Sequence, residues 1–131
     1  MSDICRILVT GSREFDDYST MCIEIGGVMA RRMATAERPY PKIIVVHGGA
    51  RGADTLAQRA AEAFGMQTER HPADWETYGK RAGFIRNAEM VALGADLVLA
   101  FYKQGAGNKG TDHCARLAEK AGLPVRRITD G

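Results

Sequence analysis

The chain has 131 residues, 45% of them hydrophobic and 26% charged, which fits one globular domain with a single core and excludes a disordered or fibrous chain. A formal net charge of +2 is too small to argue for nucleic acid on bulk electrostatics, because nucleic-acid modules carry a stronger basic bias. Cys5, Cys22 and Cys114 are odd in number and widely spaced, which excludes a disulfide framework and suits buried, reduced thiols.

Ile4 to Thr10, with Ile7-Leu8-Val9 at its centre, reads as a buried strand. A helix from Asp17 to Thr35 follows, its apolar positions Tyr18, Met21, Cys22, Ile25, Val28 and Met29 spaced for one face. Pro39 and Pro41 break the chain before a second strand, Lys42 to His47. Asp54 to Phe64 is a short helix with Leu56, Ala57, Ala60, Ala61 and Phe64 on one side, and Gly65 ends it. Met66 to His71 is a weaker strand closed by Pro72, and Gly79 to Leu93 is a helix with Phe84, Ala88 and Val91 inward. Ala95 to Phe101 is a strongly apolar strand. Thr111 to Ala121 is the last helix, burying Cys114, Leu117, Ala118 and Ala121, and Pro124 to Ile128 is the final strand. Strand and helix alternate throughout 1–131. The expected fold is therefore a single Rossmann-like α/β domain, a three-layer sandwich whose five-stranded, mainly parallel sheet carries helices on both faces.

In such sheets ligands bind at the C-terminal ends of the strands, and three glycine loops fall there. The first is Gly11-Ser12-Arg13, an anion-binding type of turn. The second is His47-Gly48-Gly49-Ala50-Arg51-Gly52-Ala53-Asp54, which has neither the dinucleotide-binding nor the P-loop order but suits a phosphate or ribose. Gly48, Gly49 and Gly52 allow close backbone approach, Arg51 offers a planar fork of donors, and Asp54 reads as a helix N-cap or a ligand contact. The third runs from Gly105 to Thr111. Lys109 and Gly110 precede Thr111, an N-cap candidate whose neighbouring amides would face a phosphate.

Between these loops lies Trp75, which either stacks on a base or plugs the core. Gly83 is costly inside a helix unless something approaches it closely, and Arg86 and Asn87 sit where side chains could reach the crevice. His47, His71 and His113 lack metal-ligand spacing and read as hydrogen-bonding structural residues, so neither metal nor cofactor is expected. No apolar run approaches the roughly 18 residues of a membrane span, and Met1-Ser2-Asp3-Ile4 lacks the features of a leader, so a cytoplasmic protein is expected.

Gly48 to Asp54, Ala73-Asp74-Trp75, Ala82-Gly83 with Arg86-Asn87 and Met90, Ala95-Asp96 through Phe101, and Gly110-Thr111 together resemble the SLOG superfamily, and within it the YspA-like branch. The resemblance covers nearly the whole chain. It implies a nucleotide or nucleotide-derived small molecule as ligand and a homodimer as the assembly. Related LOG-type phosphoribohydrolases cleave the N-glycosidic bond of nucleoside monophosphates, using Arg-Lys-x-x-Met and Pro-Gly-Gly-x-Gly-Thr-x-x-Glu segments. Arg86-Asn87-Ala88-Glu89-Met90 resembles the first with Asn87 for lysine, and Gly110-Thr111 the second, with Cys114 in place of the catalytic glutamate. That loss turns the expectation from catalysis to binding, since an oxocarbenium-like centre wants a nearby carboxylate. The alternative is a phosphoribohydrolase in which Arg86 holds phosphate or ribose and Asp112 or Glu89 supplies the acid. A third reading, single-stranded nucleic acid, is the weakest because the charge is modest.

Overall fold

The computed structural model describes residues 4–35, 37 and 42–130. Strands β1 (Ile4–Gly11), β2 (Lys42–His47), β3 (Gln67–Arg70), β4 (Leu97–Tyr102) and β5 (Val125–Thr129) form one sheet in the order β3-β2-β1-β4-β5. Every neighbouring pair is parallel. Helices α1 (Tyr18–Thr35) and α2 (Ala53–Ala63) precede a four-residue helix α3 (Trp75–Tyr78) and a 3-10 turn (Gly79–Arg81), and α4 (Ala82–Ala92) and α5 (Lys109–Lys120) follow. The expected three-layer α/β sandwich is thus the observed one. The break expected at Pro39 and Pro41 lies outside the described residues. Among those residues no helix is long and apolar enough to cross a membrane.

The pleat of β1 sorts its side chains between two cores. Cys5, Ile7 and Val9 pack with Met21, Ile25 and Val28 of α1 and with the alanine face of α2. Leu8 packs on the opposite side with Met90 and Val91 of α4 and Cys114 and Ala118 of α5. Burying each large aliphatic side chain contributes roughly 1.5–3 kcal/mol, so the sheet is held from both faces. Phe15 and Phe101 close the first core at the strand ends, their ring centroids 5.2 Å apart and tilted by 59°.

Local chemistry sets the helix boundaries. Asp17 accepts from the backbone N–H of Thr20 at 3.0 Å and from its hydroxyl at 2.6 Å, so α1 starts immediately after it. The helix expected from Gly79 to Leu93 instead runs from Ala82 to Ala92, after a 3-10 turn and a separate short helix, α3, that the sequence reading did not place. Asp74 caps α3 by accepting from the Thr77 amide at 3.1 Å, Gly79 turns the chain with φ +57°, and α4 begins only at Ala82. The buried face of α4 is accordingly Ala82, Asn87, Met90 and Val91, whereas Ala88 is exposed and Phe84 half-buried. Ala121, expected inside, lies past the end of α5 and is exposed.

The chain moves outward from β1 to β2 and β3, then returns to β4 and β5 on the other side. The helices after β1 and β4 consequently lie on opposite faces, and a crevice opens where their loops part.

Candidate functional site

The loops after β1 and β2 are locked to each other. Ser12 donates its N–H to the Phe101 carbonyl at 2.9 Å, and its own carbonyl accepts from Phe15 and Ala53, both at 3.1 Å. A Cβ on Gly11 would overlap that of Ala53 and lie 2.9 Å from the Phe101 oxygen. Gly52 has φ +78°, and a Cβ there would fall on the Ser12 carbonyl and 2.5 Å from the Arg13 carbonyl carbon. Gly11 and Gly52 therefore have a structural reason to be glycine: two loops meet backbone to backbone.

Asp54 is the second residue of α2, and the N-cap position belongs to Gly52. In place of the expected cap, the buried carboxylate reaches back and accepts from Gly48 N at 3.1 Å and Ala50 N at 3.2 Å. Burial pushes its pKa up, against the pull of those amides and of His47 and Arg86. His47 behaves as the structural histidine expected. Its Nδ1 accepts from Gly49 N at 3.0 Å, which leaves the proton on Nε2 to donate to Gln58 at 2.6 Å.

Arg86 and Asn87 tie the other wall to these loops. Arg86 Nη1 donates to the carbonyls of Gly48 at 2.8 Å and His71 at 3.4 Å, and Nε donates to Asn87 Oδ1 at 3.0 Å. Those contacts use Nε and Nη1. Asn87 is buried and donates through Nδ2 to the Gly110 carbonyl at 3.3 Å, linking α4 to the first turn of α5. Gly48 and Gly49 owe their lack of side chain to arginines, since a Cβ would overlap the Arg86 guanidinium at the first and Arg70 Nε at the second.

The β4–α5 loop is folded around Asn108, which accepts from Lys103 N at 3.1 Å and donates to the carbonyls of Lys103 and Ala106 at 3.1 and 3.0 Å. Asn108, not Thr111, holds the N-cap position of α5, and Thr111 is buried in the first turn. Asp130 anchors the loop from behind, accepting from Gln104 N at 2.8 Å and pairing with Lys103 Nζ at 2.8 Å. A Cβ on Gly110 would meet nothing within 4 Å, so this glycine faces open space.

These parts enclose a cavity of about 440 Å³. The first loop contributes Gly11, Ser12 and Arg13, the second Arg51 and Asp54, and the far wall Trp75, Arg86 and Asn87, with Lys109, Gly110 and Thr111 opposite. Arg13, Arg51, Lys80, Arg86 and Lys109 line it against the carboxylates of Glu14 and Asp54. Five of the 18 lysines and arginines thus meet at one crevice. Trp75 is 48% exposed at the rim, with the Arg13 guanidinium 5.6 Å from its ring centroid, so it does not plug the core. Its edge lies where a Cβ on Gly83 would be 3.5 Å away, an ordinary contact.

Residues 5–78, which carry the first two glycine loops and Trp75, match the YspA, cpYpsA-related SLOG family. The chain belongs to this SLOG family. It is also 45% identical over 130 residues to the Gene 61 protein of Mycobacterium phage D29, an alignment covering 95% of this chain and 97% of the phage protein. No solved structure matches the chain. SLOG membership points to nucleotide-related binding in general.

The crevice gathers most of the residues expected from sequence, while Gly48 and Gly49 line an adjoining cavity and Gly52 packs against the Ser12–Arg13 backbone. Two of the three candidate catalytic groups fall elsewhere. Glu89 is on the exposed side of α4, and Asp112 accepts from the Tyr102 hydroxyl at 2.9 Å; neither lines the cavity. Cys114, which stands where the phosphoribohydrolases have glutamate, is fully buried and its thiol is pushed up to about 11 by burial, so it stays neutral. Sequence reasoning missed Lys80 and Glu14 in this cavity. Lys80 was hidden inside the helix expected from Gly79.

Proposed function

We propose that the crevice binds a nucleotide or nucleotide-derived small molecule, with phosphate and ribose held by the loops at the strand C-termini. The carrying observation is the convergence of Arg13, Arg51, Lys80, Arg86 and Lys109 on one cavity that also has Trp75, Phe84 and Met90 as apolar walls. Cationic donors suit phosphate, and the apolar faces suit a base. Gly110 and Thr111 add the first-turn amides of α5, which have no partner inside the helix. In this reading Gly11, Ser12, Gly48, Gly49, Gly52 and Asp54 shape the loops, and Arg13, Arg51, Trp75, Arg86, Asn87, Lys109, Gly110 and Thr111 meet the ligand.

Isothermal titration with a panel of nucleoside phosphates and ADP-ribose derivatives tests it. Saturable heat with at least one of them is expected, and silence across the panel sinks the reading. The phosphoribohydrolase alternative requires free base to appear when nucleoside monophosphates are incubated with the protein. The neutral Cys114 and the outlying Glu89 and Asp112 argue for no release. The protein is taken as cytoplasmic and as a homodimer, the latter because Ile23 and Met33 on α1 are 69% and 44% exposed. Light scattering that reports a monomer removes the dimer.

A further inference from the structure

A second cavity of about 400 Å³ adjoins the first and shares Arg13, Arg51, Trp75 and Arg86 with it. Its character is different. Four guanidinium groups, those of Arg13, Arg51, Arg70 and Arg86, line it, and no carboxylate does. Among the described residues only Arg51 of the four forms an ion pair, with Glu14 at 2.8 Å, and that pair is exposed, where such contacts are weak and screened; Asp54 also attracts Arg86 electrostatically. Arg70 has no carboxylate partner among the described residues. It is carried at the C-terminal end of β3 and lies against Gly49, whose φ of +71° and missing Cβ make room for it. Gly49 thus leaves room for an exposed arginine that pairs with no carboxylate among the described residues. Like charges gathered this way repel one another unless an anion sits among them, and the planar forks of arginine match phosphate oxygens in pairs.

We infer that the ligand carries two separate anionic groups, one in each cavity, making it a nucleoside bisphosphate in type. This rests on the nucleotide reading of the first cavity. The base and one phosphate occupy the cavity with apolar walls, and the second phosphate enters the arginine cavity beyond the Arg13–Trp75 pair. Arg86, which lines both, is the shared contact.

The test titrates adenosine 5′-monophosphate and adenosine 3′,5′-bisphosphate into the full chain and into Arg70→Ala, with circular dichroism confirming that the variant folds. In the unmodified chain the bisphosphate should bind at least about tenfold more tightly, the scale of one charge-assisted hydrogen bond. Arg70→Ala should remove that advantage and leave monophosphate affinity unchanged. Equal affinities in the unmodified chain, or equal losses for both probes in Arg70→Ala, overturn the two-anion inference while the nucleotide reading stands. Failure of both probes to bind overturns the two-anion inference, and the nucleotide reading then rests on the wider panel.

Discussion

Arg86 Nη1 donates to the carbonyl of Gly48 at 2.8 Å, in space that a side chain at position 48 would fill. The far end of a flexible side chain can move, so Gly48→Ala should fold and displace the Arg86 guanidinium. Gly52→Ala is different, because its Cβ meets backbone and its φ is +78°. We expect Gly48→Ala to lose ligand affinity with a stability change under about 1 kcal/mol, and Gly52→Ala to lose roughly 1–3 kcal/mol of stability. Urea denaturation of both variants beside calorimetric titration separates the two effects; the reverse ranking would contradict it.

Asp54 satisfies two backbone amides with one buried carboxylate oxygen. Asp54→Ala leaves both without a side-chain acceptor and should cost about 1–3 kcal/mol for each one that stays dry. Asp54→Asn keeps an acceptor and should cost less. Because burial raises the folded-state pKa, the contribution of Asp54 is full below its ordinary value of 3.8 and falls as pH rises through the raised value. A stability profile that loses this falling limb in Asp54→Asn is the expected result. An unchanged profile counts against the assignment.

Glu69 carries the opposite sign. Arg6 grips its carboxylate with two bonds of 3.0 and 2.8 Å, and His71 adds a third at 2.6 Å. These partners pull its pKa down from 4.5 to about 2, chiefly through the Arg6 hydrogen bonds. Its contribution is therefore complete above pH 4.5 and is lost as pH falls toward about 2. Melting temperatures of Glu69→Gln should fall less steeply than wild type across that window. Parallel curves would show that the network does not couple to folding.

Asp130 holds the β4–α5 loop through Gln104 and Lys103. The Lys103–Asp130 pair is half-buried at the surface, and a single ion pair there adds about 1 kcal/mol to global stability. Asp130→Ala should accordingly melt close to wild type while the amides of residues 104–108 exchange faster with deuterium. Unchanged exchange would remove Asp130 as the anchor of this rim.

Much of the fold is legible in the sequence because its signals are local. Apolar runs such as Ile43 to Val46 mark buried parallel strands, and the stripe Met21, Ile25, Val28 marks the inner face of α1. Asp74 and Gly79, which cap the two ends of α3, are also local signals, but a four-residue helix with no buried residue leaves no apolar period to read. The positions of the glycine loops at the crevice follow from strand ends, whereas the reasons for individual glycines do not. Gly48 answers to Arg86, which is 38 residues away, and Gly52 answers to Ser12 across a loop junction. Distance along the chain hides such partners, and it equally hides that Glu89 faces away from the crevice.

The wall of the crevice that bears Trp75 has no buried residue in α3 or in the turn from Gly79 to Arg81, whereas the facing loops are sewn to the sheet through Ser12. The two walls therefore belong to different tiers of local stability. Opening the Trp75 side requires breaking few packed contacts and leaves the sheet intact. In the proposed nucleotide reading this wall yields first when a molecule enters or leaves, and substitutions in it should change exchange rates more than they change the stability of the sheet.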